Sequence, residues 1–191
     1  MFDGLKLDGI ENVLDMGTGT GIIAIYLQLL ISQNPNFNPR IFASDILEES
    51  IDCAKKNEVL NKINNKIIYY HSDLFKSFPE SSKSMFNIII FNPPYLPSSP
   101  LIEESRNTKG IDYSWDGGIK GVEIVIDFLK EAKEFLNLER DHYIYCITSS
   151  RSNIDQFERR LIDLGYKNKK LKKAHKFFED IILNRLHYII S

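Results

Sequence analysis

The chain has 191 residues and a mass of 22.1 kDa, a length that predicts a single domain spanning residues 1–191. Its formal net charge of −2 argues against a whole-surface affinity for nucleic acid or anionic membrane. No signal peptide is visible and no apolar run approaches the ~20 residues that span a bilayer, so we expect a cytoplasmic protein without a membrane partner. The two cysteines and four histidines show no ligand spacing, and we expect neither a disulfide nor a metal site.

Short apolar runs alternate with longer amphipathic segments, a pattern that predicts βαβ units and a mostly parallel sheet. In chain order, we predict strands at 12–17, 40–46, 65–75, 86–92 and 142–148. Helices are predicted at 22–33, 47–61, from about 120 to 136, and 153–166. The segments 169–178 and 181–191 are expected to pair as an antiparallel C-terminal hairpin. These elements predict a Rossmann-like, three-layer α/β sandwich with seven strands.

The sharpest motif is LDMGTGTGI at residues 14–22, where a strand that ends in Asp15 runs into three alternate glycines and then a helix. Glycines admit positive φ and let a ligand approach without a Cβ in its way, and the helix N-terminus offers unpaired N–H groups. Ile22 stands where a dinucleotide fingerprint needs a small residue, and no P-loop sequence occurs. An acid before the turn suits a cationic ligand with an amine, a description that fits S-adenosylmethionine.

Two further acids follow the next two strands. Asp45 ends the second strand, where a carboxylate can accept both hydroxyls of a ribose. Asp73 follows the third strand and can accept from an adenine amino group while Leu74 packs on the ring. Either acid alone would fit a helix cap or a solvated turn. Together they reinforce the glycine turn, because ligands of open α/β sheets bind at the carboxyl ends of the strands.

The motif FNPPYLP at residues 91–97 leaves the fourth strand on a polar amide. Methyl transfer from a sulfonium is an in-line displacement, so the protein mainly has to position a nucleophile. An amide or aromatic amine nitrogen is a weak nucleophile until acceptors orient its two N–H groups. Asn92 offers a side-chain carbonyl, and Tyr95 offers a flat face for stacking. Pro93 and Pro94 stiffen a turn that can direct a backbone carbonyl inward, although a simple proline turn at a strand end remains the alternative.

The motifs DMGTGTG, ASDI, SDLF and NPPY, in this order, resemble class I S-adenosylmethionine-dependent methyltransferases and, more narrowly, the HemK/PrmC family of protein-(glutamine-N5) methyltransferases. The segment 112–129 resembles the W-x-G-G-x-x-G segment of the short archaeal and eukaryotic branch that modifies release factors. The resemblance implies a cofactor site formed by Asp15, Gly17, Thr18, Gly19, Thr20, Gly21, Asp45, Ile46, Asp73, Leu74 and Asn92. It implies an acceptor site formed by Asn92, Pro93, Pro94, Tyr95 and Trp115, in which Asn92, Pro93 and Tyr95 are catalytic.

The same resemblance implies a substrate and a partner. The substrate would be the glutamine amide of the Gly-Gly-Gln loop of a class-one translation release factor, and the partner a small zinc-binding activator subunit on an edge strand. The third strand, KIIYYH, is our candidate for that edge, with simple core packing as the alternative. The family's Pro-x-Glu-Asp-[Ser/Thr] element has no match in the fourteen residues before Asp15, which indicates an absent element or a shorter N-terminus.

Two other functions fit part of the pattern. NPPY also serves N6-adenine or N2-guanine methylation of DNA or RNA, because an adenine amine resembles a carboxamide, although a chain of this length has no room for a separate recognition domain. A non-catalytic cofactor-binding scaffold is the third hypothesis. The run KNKKLKKAHK at 167–176 holds six lysines and predicts either a contact with an RNA-bound partner or a solvated edge strand.

Overall fold

The computed structural model describes residues 9–34, 36–63, 66–98 and 116–189. The predictions for Trp115 and for the start of the chain therefore lie outside the described residues, as does most of the irregular segment predicted after NPPY. The strands are β1 Asn12–Met16, β2 Arg40–Asp45, β3 Ile67–His71, β4 Ile88–Phe91, β5 Tyr143–Ser149, β6 Tyr166–Lys176 and β7 Glu179–Tyr188. The helices are α1 Ile22–Gln33, α2 Glu48–Leu60, α3 Glu123–Ala132 and α4 Ile154–Asp163, with a short 3₁₀ turn at Glu80–Ser82.

The strands form one seven-stranded sheet in the order β3-β2-β1-β4-β5-β7-β6. β1 pairs in parallel with β2 and β4, β2 pairs in parallel with β3, and β6 and β7 form the antiparallel hairpin. The predicted fold class is thereby confirmed. Among the described residues, no helix is both long enough and apolar enough to cross a membrane.

The chain divides into two compact units, and the single-domain assignment stays a prediction. The first unit contains the chain up to Phe91 together with Glu134–Ile144, and the second contains Asn92–Lys133 together with the chain from Tyr145 onward.

In the first unit, β1 and β4 are buried along their whole length. The uninterrupted apolar character of β4 follows from this, because a parallel strand covered on both faces has no solvent side to make polar, whereas β1 also buries Asn12 and Asp15. One polar side chain in this layer has a structural role. The side-chain carbonyl of Asn87 accepts hydrogen bonds from the backbone N–H groups of Glu11, at 2.9 Å, and Asn12, at 3.2 Å. Asn87 therefore fixes the start of β1 beside β4.

Several predicted boundaries were wrong. The third strand, predicted at 65–75, covers only Ile67–His71, and the last helix, predicted at 153–166, covers Ile154–Asp163. The hairpin strands, predicted at 169–178 and 181–191, are Tyr166–Lys176 and Glu179–Tyr188. The strand predicted at 86–92 begins only at Ile88, because Phe86 forms an isolated bridge with Leu136. The helix predicted from about 120 to 136 covers only Glu123–Ala132. Gly121 has a φ of 69°, which is incompatible with a right-handed helix, and Leu136 is held in the bridge instead.

In the second unit, α3 and α4 accompany β5 and the hairpin. α4 starts where predicted, because the side chain of Asn153 accepts from the N–H of Gln156 at 3.0 Å and so caps its first turn. It ends before Gly165, whose φ of 83° terminates the helix. The hydroxyl of the buried Tyr166 donates to the carbonyl of Leu129 at 2.9 Å and ties β6 to α3.

Candidate functional site

The turn between β1 and α1 is built on glycines with positive φ, and two of them show why. A Cβ on Gly21 (φ 81°) would lie 2.9 Å from the Cβ of Ala54, so this glycine permits close contact between the turn and α2. A Cβ on Gly19 (φ 55°) would meet no atom of a described residue within 4 Å. Gly19 therefore borders open space, as expected where a ligand approaches the backbone.

Asp15 is buried at the end of β1, with only 1% of its surface exposed. Its Oδ2 accepts hydrogen bonds from the Thr18 hydroxyl at 2.6 Å and from the Ala24 N–H at 3.1 Å. Its Oδ1 is buried and has no hydrogen-bond partner among the described residues. Burial raises the pKa of this carboxyl from 3.8 to about 7, against the opposing effect of the two hydrogen bonds.

Asp45 connects the end of β2 to the glycine turn. Its Oδ2 accepts from the Gly19 N–H at 2.8 Å, and its Oδ1 accepts from the Leu47 N–H at 3.0 Å. The Thr18 N–H donates to the Ser44 carbonyl at 2.9 Å, so the two strand ends are joined through backbone as well. Each carboxylate oxygen of Asp45 keeps a second lone pair. The structure thus brings together the glycine turn and Asp45, as the sequence predicts.

The segment after β3 lies beside the same strand ends. The Ser72 N–H donates to the Asp45 carbonyl at 2.9 Å, and the His71 Nε2 donates to the Ile46 carbonyl at 2.9 Å. Asp73 is half-exposed, and its Oδ2 pairs with the Lys76 ammonium at 2.5 Å. Leu74 has a φ of 49°, a left-handed conformation that costs free energy in a residue with a Cβ. Strain of this kind is most often retained where a site requires it.

The residues of the first unit fit S-adenosylmethionine. The orphaned Oδ1 of Asp15 is an acceptor for an ammonium, the open space at Gly19 leaves room for a ligand along the backbone, and the free lone pairs of Asp45 suit two ribose hydroxyls. The Asp73 carboxylate pairs with the Lys76 ammonium, so it would have to accept from an adenine amine and from Lys76 at the same time.

The acceptor motif follows β4 directly. Asn92 is exposed, and its side chain makes no hydrogen bond to another described residue, whereas Pro93 is buried and Tyr95 half-buried. Burial, followed by the negative charge of Glu179, raises the pKa of the Tyr95 phenol, so the ring carries no charge near neutral pH. Asn92 therefore presents an unused amide to solvent, and Tyr95 a neutral aromatic face.

The backbone of the motif is held by three small residues. The Ser152 hydroxyl donates to the Tyr95 carbonyl at 2.6 Å. A Cβ on Gly117 would lie 2.6 Å from the Pro94 oxygen, and one on Gly121 would lie 2.5 Å from the Tyr95 oxygen. The first and last glycines of the W-x-G-G-x-x-G segment are therefore required for close packing on the NPPY backbone, whereas the middle one, Gly118, packs against Glu123.

Asp116, in the same segment, completes this packing. Its Oδ1 accepts from the Ser98 hydroxyl at 2.6 Å and from the Gly118 N–H at 3.0 Å. The Gly117 N–H donates to the Leu96 carbonyl at 2.9 Å. Sequence reasoning missed Ser152 and Asp116, since only the proximity of distant segments reveals their contacts.

Comparisons with known proteins agree with this geometry. Residues 2–102, just over half of the chain, match the family of the methyltransferase small domain. A protein of Methanocaldococcus jannaschii, named protein N5-glutamine methyltransferase, is 30% identical over 91% of this chain and 79% of its own length. The release factor glutamine methyltransferase of Leptospira interrogans is 38% identical over 68% of this chain but only 40% of its own length, so the chain spans less than half of that relative.

Among solved structures, a chain of the E. cuniculi Mtq2–Trm112 complex, described as responsible for methylation of the translation termination factor eRF1, superimposes with a TM-score of 0.67. The match covers 98% of this chain and 88% of the other at 19% identity, which shows a shared fold. The chain therefore belongs to the methyltransferase small-domain family and is a class I, S-adenosylmethionine-dependent methyltransferase.

Proposed function

We propose that this protein transfers a methyl group to the N5 amide nitrogen of a glutamine, in the Gly-Gly-Gln loop of a class-one translation release factor. The observation that carries the proposal is the exposed amide of Asn92, which has no hydrogen-bond partner among the described residues. It lies on a proline turn whose backbone Ser152 binds and on which Gly117 and Gly121 pack closely. Similarity to named glutamine methyltransferases supports the same acceptor.

The cofactor S-adenosylmethionine supplies a methyl group bonded to a sulfonium sulfur. Asp15 would accept the ammonium of its amino-acid part through Oδ1, and Asp45 would accept the ribose hydroxyls. Thr18 orients the Asp15 carboxyl through its 2.6 Å hydrogen bond. Gly17, Thr20, Gly21, Ile46, Asp73 and Leu74 complete the proposed cofactor site.

On the acceptor side, Asn92 would accept one N–H of the glutamine amide through its side-chain oxygen, and a backbone carbonyl of the turn, from Pro93, the other. Two acceptors fix the orientation of the amide, which is the main requirement of an in-line transfer. They also increase the electron density on its nitrogen. Tyr95 would stack on the planar amide, and Pro94 keeps the turn rigid. The methylated nitrogen releases its proton to water, so no strong general base is needed.

A small partner subunit fits the edge of the sheet. β3 is the terminal strand of the sheet order and pairs with β2 alone, and Ile68 on it is 42% exposed. A partner strand could add to this free backbone edge. We place here the zinc-binding activator that the family resemblance implies, and the assembly in the cytoplasm, where release factors act.

The deciding experiment uses labelled S-adenosylmethionine with a recombinant release factor, in the presence and absence of a candidate activator. We expect label in the release factor, lost when the loop glutamine is changed to Glu, and mass spectrometry should locate one methyl group on the Gly-Gly-Gln peptide. Asn92→Ala should abolish transfer while leaving cofactor binding nearly intact. Unaltered turnover in that variant would reject the proposed role of Asn92, and label found only in nuclease-sensitive material would favour the nucleobase amine instead.

A further inference from the structure

The C-terminal hairpin, β6 and β7, has a net charge opposite in sign to that of the rest of the chain. Residues 166–189 contain six lysines and one arginine against two acids, a formal net charge of +5. The whole chain carries −2, so the remaining residues carry −7. Such segregation of charge is typical of a surface that meets a polyanion.

The strand register sorts these charges onto two faces. Side chains alternate along a strand, and a bulge between Lys170 and Lys172 shifts the register. One face, which we call the cationic face, carries Lys167, Lys169, Lys172, Lys176 and Arg185, with Glu179 as its one acid, opposite Lys176. The opposite face holds Lys170 and Lys173, which pair with Glu158 at 3.0 Å and Asp180 at 2.7 Å. Among the described residues, none of the four lysines of the cationic face forms a salt bridge.

The tip of the hairpin exposes two aromatic rings. Phe177 and Phe178 are 92% and 94% exposed. Phe177 also has a φ of 53°, at a position where tight hairpin turns use Gly or Asn. A fold that required only a turn here would gain stability from Gly at position 177, because only the first of the two turn residues has a positive φ. The Phe177 ring is therefore retained against the local backbone preference.

We propose that this hairpin binds single-stranded or loop RNA, with the cationic face along the phosphates and the Phe177–Phe178 tip stacked on bases. Basic side chains that follow a backbone, together with aromatic rings that stack on unpaired bases, are the two components of single-strand recognition. An anionic membrane suits the arrangement less well. If the exposed Phe177–Phe178 tip inserted into a membrane, the hairpin would stand upright on it. Lys167, about 30 Å from the tip, would then lie well beyond the roughly 10 Å over which the headgroup charge acts.

The test measures binding of the full-length protein to a fluorescein-labelled, unstructured RNA 20-mer by anisotropy, over a series of salt concentrations. Lys167→Gln/Lys169→Gln/Lys172→Gln should weaken binding at least about tenfold at low salt and reduce the log–log salt slope by about 2, from about 0.7 per lost phosphate contact. Phe177→Gly/Phe178→Asn, which suits the turn, should weaken binding about fivefold or more with no change in slope.

A matched control removes equal charge outside the hairpin. Lys55→Gln/Lys56→Gln/Lys62→Gln, on exposed positions in and just after α2, should leave RNA binding unchanged. Equal weakening by the two lysine triples would overturn the proposal, as would an absence of RNA binding at low salt. Hairpin-dependent binding to phosphatidylserine vesicles without RNA binding would also overturn it. Methyl transfer to a Gly-Gly-Gln peptide should persist in the hairpin variants, so this outcome is separable from the proposed catalytic function.

Discussion

The substitution Gly19→Ala tests whether Gly19 lies against the bound cofactor or serves only the fold. Gly19 has a φ of 55°, and a Cβ there would meet no atom within 4 Å. In the protein alone, the only cost is therefore the left-handed conformation of alanine, about 1–2 kcal/mol. For a chain of this size that cost corresponds to a decrease of roughly 2–8 °C in Tm. The Gly19 N–H keeps its hydrogen bond to Asp45, because the substitution leaves the amide in place.

The cofactor should respond much more strongly than the fold. A new methyl group in the open space beside the turn would occupy volume that we assign to S-adenosylmethionine. We expect the dissociation constant to rise at least about tenfold, equivalent to about 1.4 kcal/mol. Titration calorimetry with S-adenosylmethionine measures this directly, and thermal denaturation of the free protein gives the cost to the fold.

Gly9→Ala is the matched control. Gly9 has a φ of 83° and also has no atom within 4 Å of a built Cβ, but it precedes β1 and is exposed. It should show the same decrease in Tm with an unchanged cofactor affinity. If Gly19→Ala binds S-adenosylmethionine as tightly as the Gly9→Ala control does, the cofactor does not lie against this turn and the reasoning fails.

Two further predictions follow from single hydrogen-bonding groups. Burial raises the pKa of Asp15 from 3.8 to about 7, so the stability that its protonated form contributes is complete below pH 3.8 and is lost as the pH rises through 7. In urea titrations, the wild type should therefore lose up to about 4 kcal/mol of unfolding free energy between those limits, relative to Asp15→Asn. A difference between the two proteins that does not change with pH would contradict this. Ser152→Ala removes the hydrogen bond to the Tyr95 carbonyl, so it should lower the unfolding free energy by about 1 kcal/mol and raise KM for the acceptor peptide without changing cofactor affinity. The control Ser150→Ala loses only a hydrogen bond from the Asp180 N–H and should leave that KM unchanged.

Local sequence patterns predicted most of the fold, because the features that define these elements lie in residues that are close in sequence. The run 88–91 has no polar side chain, which fits a strand buried on both faces, and the alternate glycines after Asp15 mark a turn that only positive φ can form. The C-terminal hairpin was also predicted, and the confirmed pairing of β6 with β7 explains the lysine-rich edge.

The sequence predicted less where distant segments meet. Nothing local distinguishes Glu58 from the other acids of α2, yet it is 1% exposed and its Oε1 accepts from the N–H groups of Lys66 at 2.6 Å and Ile67 at 3.0 Å. Ser152 lies 57 positions from Tyr95 in sequence, so its hydrogen bond is visible only in three dimensions. The end of α3 was misplaced for the same reason, because Leu136 follows the helical spacing but is held by Phe86.

Two departures from local rules lie where strands end. Among the described residues, Asp15 keeps a buried oxygen without a partner after β1, and Leu74 keeps a left-handed backbone after β3. Each is a cost of order 1–3 kcal/mol that a protein selected only for stability would lose by substitution. Both lie at the carboxyl ends of parallel strands, where ligands of α/β sheets bind. An ammonium group that donates to the buried Asp15 oxygen would offset the first of these costs, as expected of a cationic cofactor at these strand ends. Phe177 is the same kind of departure at the far end of the chain, and by the same reasoning it marks a second surface with a ligand of its own.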